Sequence, residues 1–412
     1  MSADASPPPA SATDGARRFV LLIGWVSLLA DLCYEGLRAA VGPYLALLGA
    51  SATTVGVVAG TGELLGYGLR YLSGLLADRT GRYWLLTFIG YASNLVAAPM
   101  LAVSAALAAA WPWVAVLIGL ERLGKAIRSP AKSTLTSFAA RQLGAGKAFA
   151  IAEAMDQVGG MLGPLAVAGA LLWWGRDADG FAMAFAVLTV PAVACMLVLA
   201  RARRQFPDPR RLETEAAPPA PTALPLRVRL YLAGVALIAI GLADWPLLAF
   251  HFERTGALRG AWVMVAYAAA MAFDGVVALV IGPLFDRQRR AGQSGGRVLA
   301  TFLVLAAGYG YLTLATTSRL AIVLGIAMWS TGRAATDSIA KALIAVNVPA
   351  ASRGRAYGIY YVVFGAAWWL GSVALGYLYD HVSARAAAGL AAAALALGAV
   401  VVIAATEDRA RA

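Results

Sequence analysis

The chain has 412 residues, 60% of them hydrophobic and 14% charged, with a formal net charge of +12. A soluble domain carries roughly 25% charged residues and needs polar side chains to cover its surface. The composition therefore excludes a soluble enzyme, a disordered scaffold and a secreted disulfide module, and leaves a polytopic membrane protein whose positive charge reads as basic loops rather than a nucleic-acid surface.

Residues 1–16 are rich in Ala, Ser, Pro and Asp without an apolar period, and are expected to be a disordered tail. The pair Arg17-Arg18 ahead of an apolar run imitates a signal peptide. Asp31 and Glu35 interrupt that run and many more spans follow, so an uncleaved first helix is expected. A bilayer-spanning helix needs about 20 mostly apolar residues. Twelve segments meet this: 19–41, 53–76, 83–106, 111–132, 146–174, 180–201, 228–250, 259–284, 298–317, 320–344, 355–379 and 385–405. An even number puts both termini on one side. That side carries 22 of the 34 Lys and Arg, the other side 5 (Arg176, Arg254, Arg259, Arg319 and Arg385), and 7 lie inside spans. The rich side is expected to be cytoplasmic.

Cys33 and Cys195 lie inside apolar runs, where cysteine acts as a small hydrophobe. The only histidines, His251 and His381, lie near span ends, so no metal site is expected. Segment 202–227 holds six prolines and separates two sets of six spans. The expected organisation is a tail over 1–16, bundles over 17–201 and 228–406 joined by a cytoplasmic linker over 202–227, and a tail over 407–412. The sets repeat at one offset of 208 residues. Gly74-Leu-Leu-Ala-Asp78-Arg79 matches Gly282-Pro-Leu-Phe-Asp286-Arg287, Gly124-Lys125-Ala126 matches Gly332-Arg333-Ala334, and Gly146-Lys147-Ala148 matches Gly354-Arg355-Ala356. Two similar six-helix bundles with a site between them at the midplane follow.

Twelve spans, a central linker and the loop Gly74-x-x-x-Asp78-Arg79-x-Gly81-Arg82 resemble the major facilitator superfamily over residues 17–406. Two departures stand out: Tyr83 occupies the family's basic position after Arg82, and the second copy has Arg289 where the first has Gly81. The resemblance implies an all-α fold of two pseudo-repeated six-helix bundles. It also implies a gating role for Gly74, Asp78, Arg79, Gly81 and Arg82, and for Asp286 and Arg287 in the second copy. A carboxylate there can cap a neighbouring helix N-terminus and pair with Arg, holding one face closed. A solvated basic turn is the plainer reading of the same residues.

Charges inside the membrane are costly, at least about 2.5–3.5 kcal/mol each on insertion scales. Span 1 carries Asp31, Glu35 and Arg38, span 2 Glu63, Tyr67 and Arg70, and span 4 Glu121, Lys125 and Arg128, each set at i, i+4, i+7 and so on one helix face. Arg122 lies beside the third set, and span 5 carries Glu153 and Asp156. Internal ion pairing accounts for part of these. The rest are candidates for proton or substrate binding, since a carboxylate in a low-dielectric cavity can load and release a proton. Asp31 is the first choice for its depth. The second half offers Asp244, Asp274, Arg333, Asp337 and Lys341.

Arg122-Leu-Gly-Lys-Ala126 partly resembles the family's span-4 arginine motif, and the surrounding segment resembles a little-characterised bacterial subgroup. Gly159-x-x-x-Gly163-Pro164 in span 5 resembles the core of the antiporter motif, with Val167-Ala168 in place of its later glycines. Small residues there also suit plain close packing. Tyr357, Tyr361, Phe364 and Trp368 form an aromatic stripe on span 11, read as packing or as a wall for a ring-bearing substrate.

The function expected is secondary transport by alternating access in a bacterial cytoplasmic membrane. Proton-coupled export of a small organic molecule leads, and proton symport of a polar or anionic solute is the alternative. A transporter-like sensor is a minor third reading. No nucleotide-binding, HExxH or GxSxG context appears, so an enzyme is not expected. No cofactor beyond the proton, no nucleic acid and a working monomer are expected.

Overall fold

The computed structural model describes the backbone of residues 10–107, 110–143, 145–208, 226–347 and 353–407, and the side chains of 14–77, 79–107, 110–136, 154–208, 226–344 and 356–407. The described residues form helices and no strand.

In the first half, α1 (Ala10–Leu47) is one continuous helix, α2 (Ala52–Gly68) and α3 (Arg70–Thr80) share the second span, and α4 (Tyr83–Ala106), α5 (Trp111–Leu143), α6 (Ala145–Trp174) and α7 (Ala178–Gln205) make the next four. In the second half, α8 (Leu226–Gly241) and α9 (Trp245–Thr255) share a span, followed by α10 (Ala261–Arg290). A broken span follows, α11 (Gly296–Ala306) with α12 (Tyr309–Leu314). The next comprises α13 (Arg319–Ala335), a π-helical turn (Thr336–Ala340) and α14 (Lys341–Asn347), and α15 (Arg353–His381) and α16 (Ala384–Thr406) complete the fold. The twelve expected spans are thus present, but four are interrupted. Among the described residues, nine are long and apolar enough to cross a membrane on composition alone. The three that fall short are the second, fourth and tenth, which carry Glu63 and Arg70, Glu121 to Lys132, and Arg333 to Lys341.

The ends and breaks follow from local chemistry. Ser51 caps α2 by accepting from the Thr54 amide at 3.1 Å, and Asp177 caps α7 by accepting from the Gly180 amide at 3.0 Å. Asp244 does the same for α9, with Pro246 in that helix's first turn, where its missing N–H is harmless. The seventh span therefore breaks at residues 242–244 instead of running straight. Gly81 ends α3 with φ 61°, a conformation that suits glycine. The π turn is centred on Ser338, which stands 208 residues after Pro130 inside α5, so the π turn of the tenth span and the proline of the fourth fall at the same level of the repeat.

Within the first half α1 packs against α6 and α7, and α4 against α5 and α7; in the second half α16 packs against α8 and α11. Two seams join the halves, α2 against α15 and α6 against α10, and α1 also meets α9. Exposed apolar side chains such as Leu72, Val116, Val190, Leu197, Leu320 and Val400 ring the outside, the surface a bilayer covers. One end of the bundle carries the start of α1, the end of α16 and most of the described loop arginines and is called the basic end below; the other is the far end.

Candidate substrate cavity and its ion pairs

A cavity of about 920 Å³ lies between the halves. Its walls come from α1 (Asp31, Glu35), α6 (Ala154, Asp156, Gln157, Gly160), α10 (Met271 to Leu279) and the tenth span (Arg333, Asp337, Ser338, Lys341). Every one of these stretches lies at mid-depth or on the basic-end side of it, so the cavity runs from the midplane toward the basic end.

The far end is closed by contacts across the halves. Arg38 on α1 donates through Nη2 and Nε to Asp244 Oδ1 at 2.5 and 3.2 Å, and both residues are buried, at 4% and 1% exposure. Gly42 lets α1 lie directly on the Pro246 carbonyl. At the end of α15, Asp380 accepts from the Ala52 amide at 3.1 Å, the Thr53 amide at 2.6 Å and Thr53 Oγ1 at 2.7 Å, with Arg254 3.8 Å away. A carboxylate on a helix N-terminus is favoured by the exposed amides and the helix dipole.

A chain of buried charges leads inward from Arg38. Its Nη2 is 3.5 Å from Glu63 Oε1, which is 3.5 Å from Arg122 Nη1. Arg122 Nε is 3.7 Å from Glu121 Oε2, whose Oε1 is 3.8 Å from Arg128. Three arginines meet three carboxylates, counting Asp244, and their neutralisation makes this burial tolerable. Arg128 also reaches the Gly90 carbonyl at 3.4 Å and lies over Tyr91. Arg122 and Lys125 both lie on the Tyr34 ring, the lysine Nζ 3.2 Å from its centroid. Arg70 sits over Tyr67 and Tyr361 at the α2–α15 seam.

In the cavity wall itself most charges are matched. Lys132 holds Asp156 at 3.1 Å and Ser27 at 2.8 Å. Arg333 is 3.5 Å from Asp274 and 3.4 Å from Asp337, and Lys341 is 3.6 Å from Asp337. Glu35 accepts from the Tyr267 hydroxyl at 2.6 Å, a bond across the halves. Asp31 makes no ion pair or hydrogen bond among the described residues, although it lines the cavity. The charges acting on it belong to Asp156, Lys125, Lys132 and Glu35.

Of the residues singled out in the sequence, Asp31, Glu35, Asp156, Asp274, Arg333, Asp337 and Lys341 line the cavity, while Arg38, Glu63, Glu121, Arg122, Arg128 and Asp244 form the buried chain. Arg333 and Lys125 are equivalent by the repeat, yet Lys125 rests on Tyr34 outside the cavity lining. The side chains of Glu153 and Asp78 lie outside the described residues. Arg79, Arg82, Asp286 and Arg287 are exposed at the basic end, and a Cβ added at Gly74 would meet Pro130 at 3.6 Å. Gly159 and Gly163 press on the α1 backbone at Leu28 and Leu32, and Pro164 is buried beside them. The aromatic stripe on α15 is a packing seam: Tyr67 stacks on Tyr361 and Trp368 and meets Phe364 edge-on. Sequence reasoning missed Tyr34, Tyr267 and Asp380. Only Asp380 had a signal, an acid at a span end on the same side as the Ser51-Ala-Thr-Thr54 helix start.

Two six-span halves around a central cavity define a membrane carrier. The family model for the Major Facilitator Superfamily matches residues 23–295 and 245–412. An uncharacterised protein of Mycobacterium tuberculosis is 40% identical over 372 residues, 89% of this chain and 87% of that protein. An uncharacterised MFS-type transporter of Methanocaldococcus jannaschii is 26% identical over 144 residues, 35% of each chain. Among solved structures, a POT family transporter in complex with 5-aminolevulinic acid has a TM-score of 0.72 at 12% identity, covering 94% of this chain and 95% of that one. The nucleoside transporter NupG has a TM-score of 0.68 at 13% identity, covering 94% and 98%. These two likenesses show the shared fold. The chain belongs to the major facilitator superfamily. It is a secondary transporter and not an enzyme.

Proposed function

We propose that this protein is a proton-coupled exporter of a small organic molecule that works by alternating access, with Asp31 as the exchanging carboxylate. The observation that carries this reading is that Asp31 faces the cavity while the other acids there are held by Lys, Arg or Tyr. A proton and a cationic group of the substrate compete for such a carboxylate, and competition at one site is the physical basis of antiport.

The basic end is assigned to the cytoplasm of a bacterial inner membrane, with both termini there. The bundles are taken as residues 17–201 and 228–406, the protein working as a monomer. The cavity then faces inward, and the Arg38–Asp244 pair is the outer gate. Glu63, 3.5 Å from Arg38, offers a second partner within the same half. As the far end opens, Arg38 passes from Asp244 to Glu63 and the halves part there. The latch assigned to Asp78, Arg79 and their neighbours would close the inner face in turn.

Inside-out vesicles with an acidic interior and a pH-sensitive dye test the reading. A panel of organic cations, sugars and organic acids is added in turn. At least one compound should collapse the gradient in wild type and not in Asp31→Asn. Collapse undiminished in Asp31→Asn removes that residue from the exchange. Silence across the panel, with proton-linked uptake of an acid in right-side-out vesicles, supports the importing alternative.

A further inference from the structure

A second polar tie crosses between the halves about one turn inward from Arg38–Asp244. Glu35 and Arg38 stand on one face of α1, one helical turn apart. Arg38 reaches Asp244, and Glu35 accepts from the Tyr267 hydroxyl on α10 at 2.6 Å. Their two partners in the second half are themselves in contact. Trp245, the residue after Asp244, stacks on the Tyr267 ring, with centroids 4.6 Å apart and planes 29° from parallel. Both rings are fully buried. Glu35, Tyr267, Trp245, Asp244 and Arg38 thus close a ring, with α1 on one side and α9 and α10 on the other.

The backbone that carries Asp244 is fixed from within the second half. The Ala243 amide donates to the Tyr309 hydroxyl at 2.7 Å, that hydroxyl donates to the Gly241 carbonyl at 2.9 Å, and Trp329 Nε1 donates to the Ala243 carbonyl at 2.9 Å. The Asp244 carboxylate is held more lightly. Oδ1 takes the Arg38 and Trp245 bonds, while Oδ2 is buried with no hydrogen-bond partner among the described residues. Hydrogen bonds weaken steeply with misalignment, so a small shift of Trp245 is felt at Oδ1.

At the other corner of the ring, Glu35 lines the cavity. The charged groups around it are Asp31 and Arg38 on its own helix and Glu121 and Lys125 from α5. From α6 it meets Gly160, which has no side chain to offer. Glu121 is engaged with Arg122 and Arg128, and Lys125 lies on the Tyr34 ring. The bond to Glu35 comes from Tyr267. An O–H bond to an ionised carboxylate is about twice as strong as one between neutral groups, so whatever neutralises or occupies Glu35 loosens Tyr267.

We propose that Tyr267 is the positioning residue that couples the cavity to the outer gate: its hydroxyl is held by Glu35, and its ring, through Trp245, sets Asp244 for Arg38. The proposal rests on the reading of Arg38–Asp244 as the gate. It needs no assumption about the substrate.

A double-mutant cycle on the full chain tests it. The reporter is Val55→Cys near the far end, labelled by an impermeant maleimide in right-side-out vesicles; the native Cys33 and Cys195 are buried. Tyr267→Phe keeps the ring and removes the hydroxyl, and should raise the labelling rate about fivefold, the change one net hydrogen bond of about 1 kcal/mol makes. Glu35→Gln should raise it as well, and the double variant should label no faster than the faster single one. Trp245→Leu, which removes the stack, should erase the response to Glu35→Gln. Tyr267→Phe labelling at the wild-type rate, effects that multiply in the double variant, or a full Glu35→Gln response in Trp245→Leu would each overturn the coupling. Asp244→Asn is run beside them. A rise in that variant with an additive Tyr267 cycle overturns this proposal alone, whereas no rise overturns the gate reading beneath it.

Discussion

Arg38 holds more of the molecule's state than any other side chain. It is buried, it belongs to one half, and its shortest contact, 2.5 Å, is to Asp244 in the other. Removing one partner from a buried ion pair leaves an uncompensated charge and costs about 3–5 kcal/mol. Asp244→Asn should therefore destabilise the far-end closure and leave Arg38 to Glu63. The check is a cysteine at Val55, fully buried on α2 near that end. Its labelling by an impermeant maleimide should rise severalfold in Asp244→Asn. Replacing both residues with leucine should recover much of the lost thermal stability, because well-packed apolar pairs often equal buried ion pairs. Labelling at the wild-type rate would show that the pair does not hold the gate.

At the scale of elements, the helices were largely legible and their partners were not. Apolar runs mark twelve spans because lipid demands them, and the i, i+4, i+7 spacing placed Asp31, Glu35 and Arg38 on one face of α1. That face still divides its residues: Asp31 opens to the cavity, Glu35 meets Tyr267 and Arg38 meets Asp244. Nothing local encodes a contact between residues 206 positions apart. The break before α9 was readable, since an Asp followed by Trp-Pro is a helix-start pattern. The π turn was not, because Thr336 to Ala340 carry neither Pro nor Gly and no local signal of a helix irregularity. The repeat predicted equal halves, yet glycines of α2 and α15 press closely on the facing helix while a Cβ at Gly275 or Gly282 of α10 would meet nothing within 4 Å. The tight seam makes a prediction within a single helix. Gly56→Ala pushes a Cβ into the Ser372 carbonyl and should cost about 1–3 kcal/mol. Gly66→Ala, also on α2, meets nothing within 4 Å and should be neutral or stabilising, by up to about 1 kcal/mol. Thermal unfolding in detergent compares them, and equal shifts would deny the seam its packing role.

For the whole molecule, these contacts describe one state of a cycle. The far end is held by Arg38–Asp244 and by Asp380 on the start of α2, while the cavity reaches toward the basic end. A carrier fixed in this state could bind but not move its substrate, so the far-end contacts must be strong enough to form and weak enough to break. Asp380 fits that demand: its three acceptor bonds come from the two residues at the start of α2, so a small separation of α2 from α15 would release all of them together. Opening the far end therefore requires Thr53 and Asp380 to part. Cysteines placed by Thr53→Cys and Asp380→Cys, joined by a short reducible cross-linker, should abolish transport, and reductant should restore turnover. Transport that continues through the cross-link would mean that α2 and α15 stay together throughout the cycle, and the outer opening would then have to lie on the α6–α10 side.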